Sequence, residues 1–427
     1  MADQPVFIEG DDVRAQAPAV PGERQRRLVV ALDPYLLVVV GGLLAIGAMM
    51  VYSTTFDWSY QSFGSESYIF MQHLRNLGIG VVVLVLLAFI DYRVWKRFAV
   101  WMLLGVIALL IAVLLFGDDA FGARRSLIRG SLQPGEAAEL VMVIYMAAWL
   151  SSKRTRVRSL LYGLLPFAVL VSIVGGLVML QPDLSSAAMI FAVSGIMFFL
   201  AGGDLLQLGV AGGAAVGFGW VLAQRISYAQ GRLTTFIDSL SDLTQAHYQV
   251  QQAVIAFLNG GWMGVGLGEG RQKFGFLPAP HTDSIFAVIG EELGIIGAGF
   301  VVLLYVALAV RGFQTSRRAP DTFGALLAAG VTVWIVSKAL LNIAVMTALV
   351  PPTGAVLPFI SFGGSSLVVL MAGAGLLLSV GRVRARQMKM PERRNVIAPY
   401  DRGGRDGGPR VSRAGRSRSA HPDTSGG

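Results

Sequence analysis

Apolar runs of about 18 to 25 residues recur along the chain, and in stretches such as Phe98 to Phe116 no polar face interrupts the helical circumference. A helix in a soluble protein keeps a polar stripe toward water, so this pattern predicts segments solvated by lipid. Ten spans follow, at about 34–53, 74–92, 98–116, 136–151, 158–180, 184–201, 205–224, 284–311, 322–346 and 364–381. The expected fold is all-α: a polytopic membrane protein of about ten transmembrane helices, with a large extracytoplasmic loop, 225–283, between spans 7 and 8.

Basic residues near the span ends orient this array. Arg24, Arg26 and Arg27, then Arg93, Lys96 and Arg97, then Lys153, Arg154, Arg156 and Arg158, then Arg311, Arg317 and Arg318 all fall on one side of an even-numbered bundle. The positive-inside rule makes that side, and both termini, cytoplasmic. The body, 31–382, is then flanked by a polar cytoplasmic arm, 1–30, and a tail, 383–427, rich in Arg, Gly, Ser and Pro. The arm runs into a full-length span with no small-residue cleavage site, so it reads as uncleaved. The tail lacks periodicity and reads as disordered.

Composition agrees: 54% of residues are apolar, mean hydropathy is +0.62, and the net charge of +9 resides largely in the tail. A juxtamembrane basic segment attracts anionic membrane lipids. No nucleic-acid recognition module accompanies it, so no nucleic-acid partner is expected. The absence of cysteine excludes a disulfide framework, a thiolate zinc site and a cysteine nucleophile.

Some basic residues lie on the side the rule disfavours. Arg124, Arg125 and Arg129 fall in the connection between spans 3 and 4, and Arg232, Arg271 and Lys273 fall in the large outer loop. Arginine pairs bidentately with phosphate and lysine meets it as a point charge, so such a cleft suits a phosphorylated lipid head group. Pairing with Asp118, Asp119 or Glu269 is the plainer alternative. Beside these cations, glycines at 260, 261, 264, 266, 268 and 270 allow a backbone to approach a ligand closely, or simply form a flexible loop.

Asp283 follows Pro280, His281 and Thr282 at the outer start of span 8, where helix capping is its simplest role. On one continuous helix, Ala287, Gly290, Gly294 and Gly297 would continue beneath it as a small-residue face for close packing. Glu291 and Glu292 would then point to different environments. An ionised group deep in a bilayer is costly, so each glutamate needs a partner, and Lys338, with Asn342 one turn later, is the expected one. Two further segments, QPDLSSA at 181–187 and PPTGAVLPFISFGGSSL at 351–367, read as breaks that membranes tolerate only where backbone is buried or lines a cavity. Gln181 and Asp183 are expected to contribute to that cavity.

HTDSIFAVIGEELG at 281–294, GGWMGVGLGEGRQK at 260–273, YQVQQAVIA at 248–256 and the two broken segments together resemble the SEDS proteins, the FtsW, RodA and SpoVE group, over about residues 30 to 385. The resemblance implies a peptidoglycan glycosyltransferase that polymerises lipid II at the outer face of the bacterial cytoplasmic membrane, working beside a class B penicillin-binding protein. It places the essential aspartate of the HTDxIFA motif on Asp283, and motif positions on Glu136 and Lys273. It implies pyrophosphate binding by Arg124, Arg125, Arg129, Arg271, Lys273 and His281, supported by Asp183, Glu291, Glu292, Lys338 and Asn342. A divalent cation, Mg or Mn, is the expected cofactor, and no organic cofactor is expected. The pattern departs at Ser126, where the family usually has tryptophan, at Glu139, where it usually has lysine, and at Ser284, where many members have phenylalanine. A lipid II flippase and a non-catalytic scaffold are the rival readings, and division and elongation roles are not separated.

Overall fold

A computed structural model describes residues 32–117, 133–153, 157–213 and 246–389, together with 217, 231 and 235–238. The described residues are helical or irregular, with no strand among them. Chain contacts fall into two units, Met1–Met388 and Lys389–Gly427, and the helical body belongs to the first.

Its helices are α1 (Pro34–Phe63), α2 (Tyr68–Phe89), α3 (Arg93–Phe116), α4 (Pro134–Lys153), α5 (Leu165–Met179), α6 (Leu184–Leu200), α7 (Tyr248–Gly260), α8 (Ile285–Glu292), α9 (Gly294–Arg317), α10 (Thr322–Met346) and α11 (Gly364–Lys389). A single π turn, Leu160–Leu164, leads into α5. Seven helices among the described residues are long and apolar enough to cross a membrane, counting the π turn with α5, while α6 is shorter. Helix α4, the expected fourth span, is not one of the seven, and the expected seventh span is described only at 205–213 and 217.

Local chemistry sets the ends. Asp33 caps α1 by accepting from Tyr35 N at 3.0 Å, Pro34 pre-sets the first turn, and Gly64 stops the helix at φ 69°. Asp321 caps α10 through Gly324 N at 2.7 Å and also accepts from Tyr92 Oη at 2.6 Å and Arg93 Nε at 2.9 Å. Burial alone would raise the Asp321 carboxyl, but these donors outweigh it and hold it below the ordinary value. Arg311 of α9 reaches Asp33 at 2.9 Å, so one end of the bundle is tied by two ion pairs, one joining the starts of α3 and α10 and the other the start of α1 to the last turns of α9.

Burial separates lipid-facing from central helices. The protein itself covers 72% of the apolar window of α10 and 83% of that of α11, against 22% in α2 and 28% in α3. Helix α10 packs against α9, α4 and α6, while α4 also packs against α3. The uneven burial explains why α4, with two glutamates in its first two turns, is tolerated: Glu136 and Glu139 are 6% and 2% exposed within the protein.

The expected single span at 284–311 is two helices. Gly294 takes φ +69°, and a Cβ there would lie 2.4 Å from Gly264 N and 2.5 Å from Trp262 O. The chain is pinned at that point by the loop after α7, through Ile295 N to Gly261 O and Ile296 N to Trp262 O. A helical wheel drawn through 283–297 therefore fails beyond Leu293, although Gly290 does lie in close contact with Phe257 of α7.

Candidate functional site

Opposite the ion-paired end, the starts of α4, α6, α8 and α11 converge with the end of α10 around a cavity of about 320 Å³. Glu136, Asp183, Asp283 and Lys338 line it, along with Thr353–Val356 and Phe362–Ser366. The residues 351–363 are irregular rather than helical, and many are buried. Several of their backbone groups bond within the protein, as a broken segment at membrane depth requires. Ser361 Oγ accepts from Leu357 N and donates to Thr282 O, Phe362 N donates to His281 O, and Tyr305 Oη donates to Pro358 O. Gly47 of α1 permits this burial, since a Cβ there would meet Phe359 O at 2.5 Å.

These bonds fasten the broken segment to the turn carrying Asp283. Asn342 adds a further tie, with Nδ2 donating to Asp283 O at 2.7 Å and Ala355 O at 2.6 Å. Asp283 is not the cap of α8. Ser284 holds that position, and its hydroxyl accepts from Gln249 at 2.9 Å and donates to Pro278 O at 2.7 Å. The Asp283 carboxyl instead faces the cavity, with Oδ2 3.4 Å from where a Cβ on Gly354 would sit.

Asp183 caps α6 with Oδ1, through Ser186 N at 3.1 Å and Ser185 Oγ at 2.8 Å, and also lines the cavity. Gln181 does not join it, because its amide turns to Leu110 O of α3 at 3.0 Å. Glu136 accepts from Ser365 Oγ at 3.2 Å.

Lys338 pairs with neither Glu291 nor Glu292. Its ammonium meets Glu139 at 2.7 Å, and Trp334 Nε1 donates to the same oxygen at 2.6 Å. Glu139, which departs from the usual family pattern, is thus the counter-charge of the one cation that lines the cavity among the described residues.

Glu291 and Glu292 do share an environment, contrary to the helical-wheel expectation. Both are 1% exposed, and the glycine-rich loop folds over both. Glu291 accepts from Arg271 N at 3.1 Å, Gln272 N at 3.2 Å and Asn259 Nδ2 at 3.4 Å. Glu292 accepts from Gly268 N at 3.1 Å, Ser53 Oγ at 2.8 Å and Lys273 Nζ at 2.7 Å. The loop wraps around the end of the helix, so donors from 259–273 reach side chains on both of its faces. Lys273, expected at a phosphate, has its charge met by Glu292 inside the protein. Arg271 is exposed and lines neither this cavity nor its neighbour. Arg124, Arg125 and Arg129 lie outside the described residues.

The neighbouring cavity, about 440 Å³, lies between the end of α1 and residues 273–281, and His281 is part of its wall. Burial lowers the His281 imidazole to about 4, so its ring is neutral near pH 7. It stacks on Trp58 at 4.8 Å and meets Phe362 edge-on at 5.9 Å. Ser53 and Glu139 were not among the expected site residues, although the polar run after Val51 and the departure at Glu139 are their traces in the sequence.

No group of three or more His, Asp or Glu side chains among the described residues is placed to hold a metal ion. The expected divalent cation therefore lacks a ready ligand set in them.

A family model described as cell cycle protein, covering FtsW, RodA and SpoVE, matches residues 34–386. The "Probable peptidoglycan glycosyltransferase FtsW" of Trichlorobacter lovleyi is 37% identical over 352 residues, spanning 82% of this chain and 92% of that one. A chain of a peptidoglycan synthase complex coordinating polymerization and crosslinking superimposes with TM-score 0.67 at 26% identity, covering 83% of this chain and 98% of that one. The rod shape determining protein RodA of Thermus thermophilus does so with TM-score 0.63 at 27% identity, covering 84% and 99%.

Proposed function

The chain belongs to the FtsW, RodA and SpoVE family, and on that premise we propose that it is a multi-pass membrane peptidoglycan glycosyltransferase that polymerises lipid II, with Asp283 as general base. In the reaction, the acceptor 4-hydroxyl oxygen bonds to the anomeric carbon of the donor sugar as the bond to the lipid-linked pyrophosphate breaks. The hydroxyl proton passes to the Asp283 carboxylate, the pyrophosphate leaves with the electron pair, and the anomeric centre inverts. A base must sit within reach of the hydroxyl it deprotonates, and Asp283 lines an open cavity while its backbone is fixed by Asn342.

That placement is the observation that carries the reading. Negative charge developing on the leaving group is best met by fixed cations. Lys338 fills that role in the cavity, and Arg124, Arg125 and Arg129 are its proposed companions. Glu139 positions Lys338.

The site faces the outer side in this reading, because Arg93, Lys96, Arg97, Arg311, Arg317 and Arg318 lie at the opposite end, where the positive-inside rule puts cytoplasm. Both termini are then cytoplasmic. The likeness to a synthase complex that couples polymerization with crosslinking favours a class B penicillin-binding protein as partner.

The test is glycan-chain formation from lipid II by purified protein, with its partner carrying a disabled transpeptidase, comparing wild type with Asp283→Asn. Polymer from wild type and none from the folded variant is expected. Equal polymer from both removes Asp283 from the mechanism.

A further inference from the structure

The aromatic-walled cavity beside the catalytic one has no role in the chemistry above. Its floor is closed by the Ser53, Lys273 and Glu292 network, so its charges are already neutralised. Above that floor, Phe56 and Phe274 meet edge-on at 6.0 Å, and Trp58, 45% exposed, is steadied by the His281 ring at an interplanar angle of 20°. Asp57 and Gln61, one helical turn apart on α1, also face it, with Gln61 Nε2 donating to Asp57 Oδ2 at 2.8 Å.

This combination has a chemical counterpart. A pyranose ring presents a flat C–H face, which packs on aromatic rings, and a rim of hydroxyl and amide groups, which needs planar donors and acceptors. A purely lipid-filled groove would have no use for an aspartate and a glutamine at its wall. Position supplies the second argument. His281 and Phe362 form a shared wall, since His281 lines this cavity and Phe362 the Asp283 cavity. A polymerase holds a glycan that extends beyond the sugar reacting at the base, and a second cavity across the wall formed by the residues preceding that base gives the neighbouring sugar a place.

We propose that the Phe56, Asp57, Trp58, Gln61, Phe274 and His281 cavity is a saccharide subsite that takes an N-acetylhexosamine ring of the glycan next to the reacting sugar, an assignment that rests on the glycosyltransferase reading. Trp58 supplies the stacking platform, and Asp57 and Gln61 read the rim. Aromatic stacking of this kind is worth about 1.4 kcal/mol, a tenfold change in affinity.

The experiment has a binding arm and a kinetic arm, both on the full chain in detergent with its partner present. The binding arm follows tryptophan fluorescence on titration with the β-1,4-linked tetrasaccharide of N-acetylglucosamine, in wild type, Trp58→Phe, Gln61→Ala and the exposed-tryptophan control Trp262→Ala. The kinetic arm measures lipid II polymerisation and strand length, with thermal unfolding to verify folding. The expected result is saccharide-dependent quenching that is lost in Trp58→Phe and kept in Trp262→Ala, about tenfold weaker saccharide affinity in Gln61→Ala, and in Trp58→Ala about a tenfold higher KM with kcat within twofold and shorter strands. Unchanged binding and strand length in folded Trp58 and Gln61 variants overturns the subsite. A fall in kcat alone, with KM unchanged, also overturns it and makes Trp58 a support for His281. Saccharide binding that depends on Trp58 in a protein that forms no polymer would keep the cavity and sink the glycosyltransferase reading.

Discussion

Asn342 and Asp283 are joined through the backbone of the aspartate: the amide of Asn342 donates to the Asp283 backbone oxygen at 2.7 Å, and to Ala355 O at 2.6 Å. One side chain from the core helix α10 thus fixes the height of the proposed base and holds the broken segment against it. Replacement by alanine leaves two carbonyls short of a donor, each costing about 1–3 kcal/mol. Asn342→Ala is expected to lower the unfolding temperature and to cut polymerisation at least tenfold. Asn342→Asp, which cannot donate when ionised, should not rescue it. Polymerisation assays with parallel thermal unfolding check both.

Glu292 and Lys273 form a pair that is nearly inaccessible, with side chains 0% and 2% exposed. Removing one partner strands a buried charge at a cost of about 3–5 kcal/mol. Lys273→Met and Glu292→Gln should each destabilise strongly, and the double variant by less than their sum. A double-mutant cycle on unfolding free energy reads the difference, and additive effects would show that the pair is not coupled.

Gly294 separates α8 from α9 in a left-handed conformation at φ +69°. Any side chain there costs about 1–2 kcal/mol in backbone strain alone and collides with residues 262–264. Gly294→Ala is expected to loosen the loop over Glu291 and Glu292, seen as faster amide exchange at 262–273. Unaltered exchange would mean the break is not held by this residue.

His281 gives the turn before α8 a pH dependence. Its imidazole is lowered by burial to about 4, below the unfolded value of about 6.5. Between those values the unfolded chain binds the proton and the folded chain resists it, so the contribution is intact above about pH 6.5 and declines as pH falls toward 4. The unfolding temperature of wild type should therefore drop across that window more steeply than that of His281→Gln. Parallel curves would remove His281 as the cause.

Much of the site was legible without the fold. Asp283, Asp183 and the 351–367 segment each announce themselves as polar or helix-breaking residues inside apolar sequence, where their cost demands a reason, and Glu136 was marked by the family resemblance. The structure gathers all of them around one cavity. Pairings were not legible in this way. Lys338 was matched to Glu291 or Glu292 of the preceding span because each intramembrane carboxylate needs a partner, yet it meets Glu139 of α4, because α4 and α10 are packed neighbours and no periodicity reports which helices touch.

The sequence by itself determined that the chain crosses a membrane and which residues carry polar chemistry, since hydrophobic length and the cost of buried charge are properties of local segments. Only the tertiary structure decided which charge answers which. The loop at 259–273 wraps both Glu291 and Glu292 at the end of α8 and makes Lys273 the partner of one of them. Ion pairing in a low-dielectric interior depends on distances of a few ångströms between segments far apart in the chain, and those distances exist only once the helices have packed.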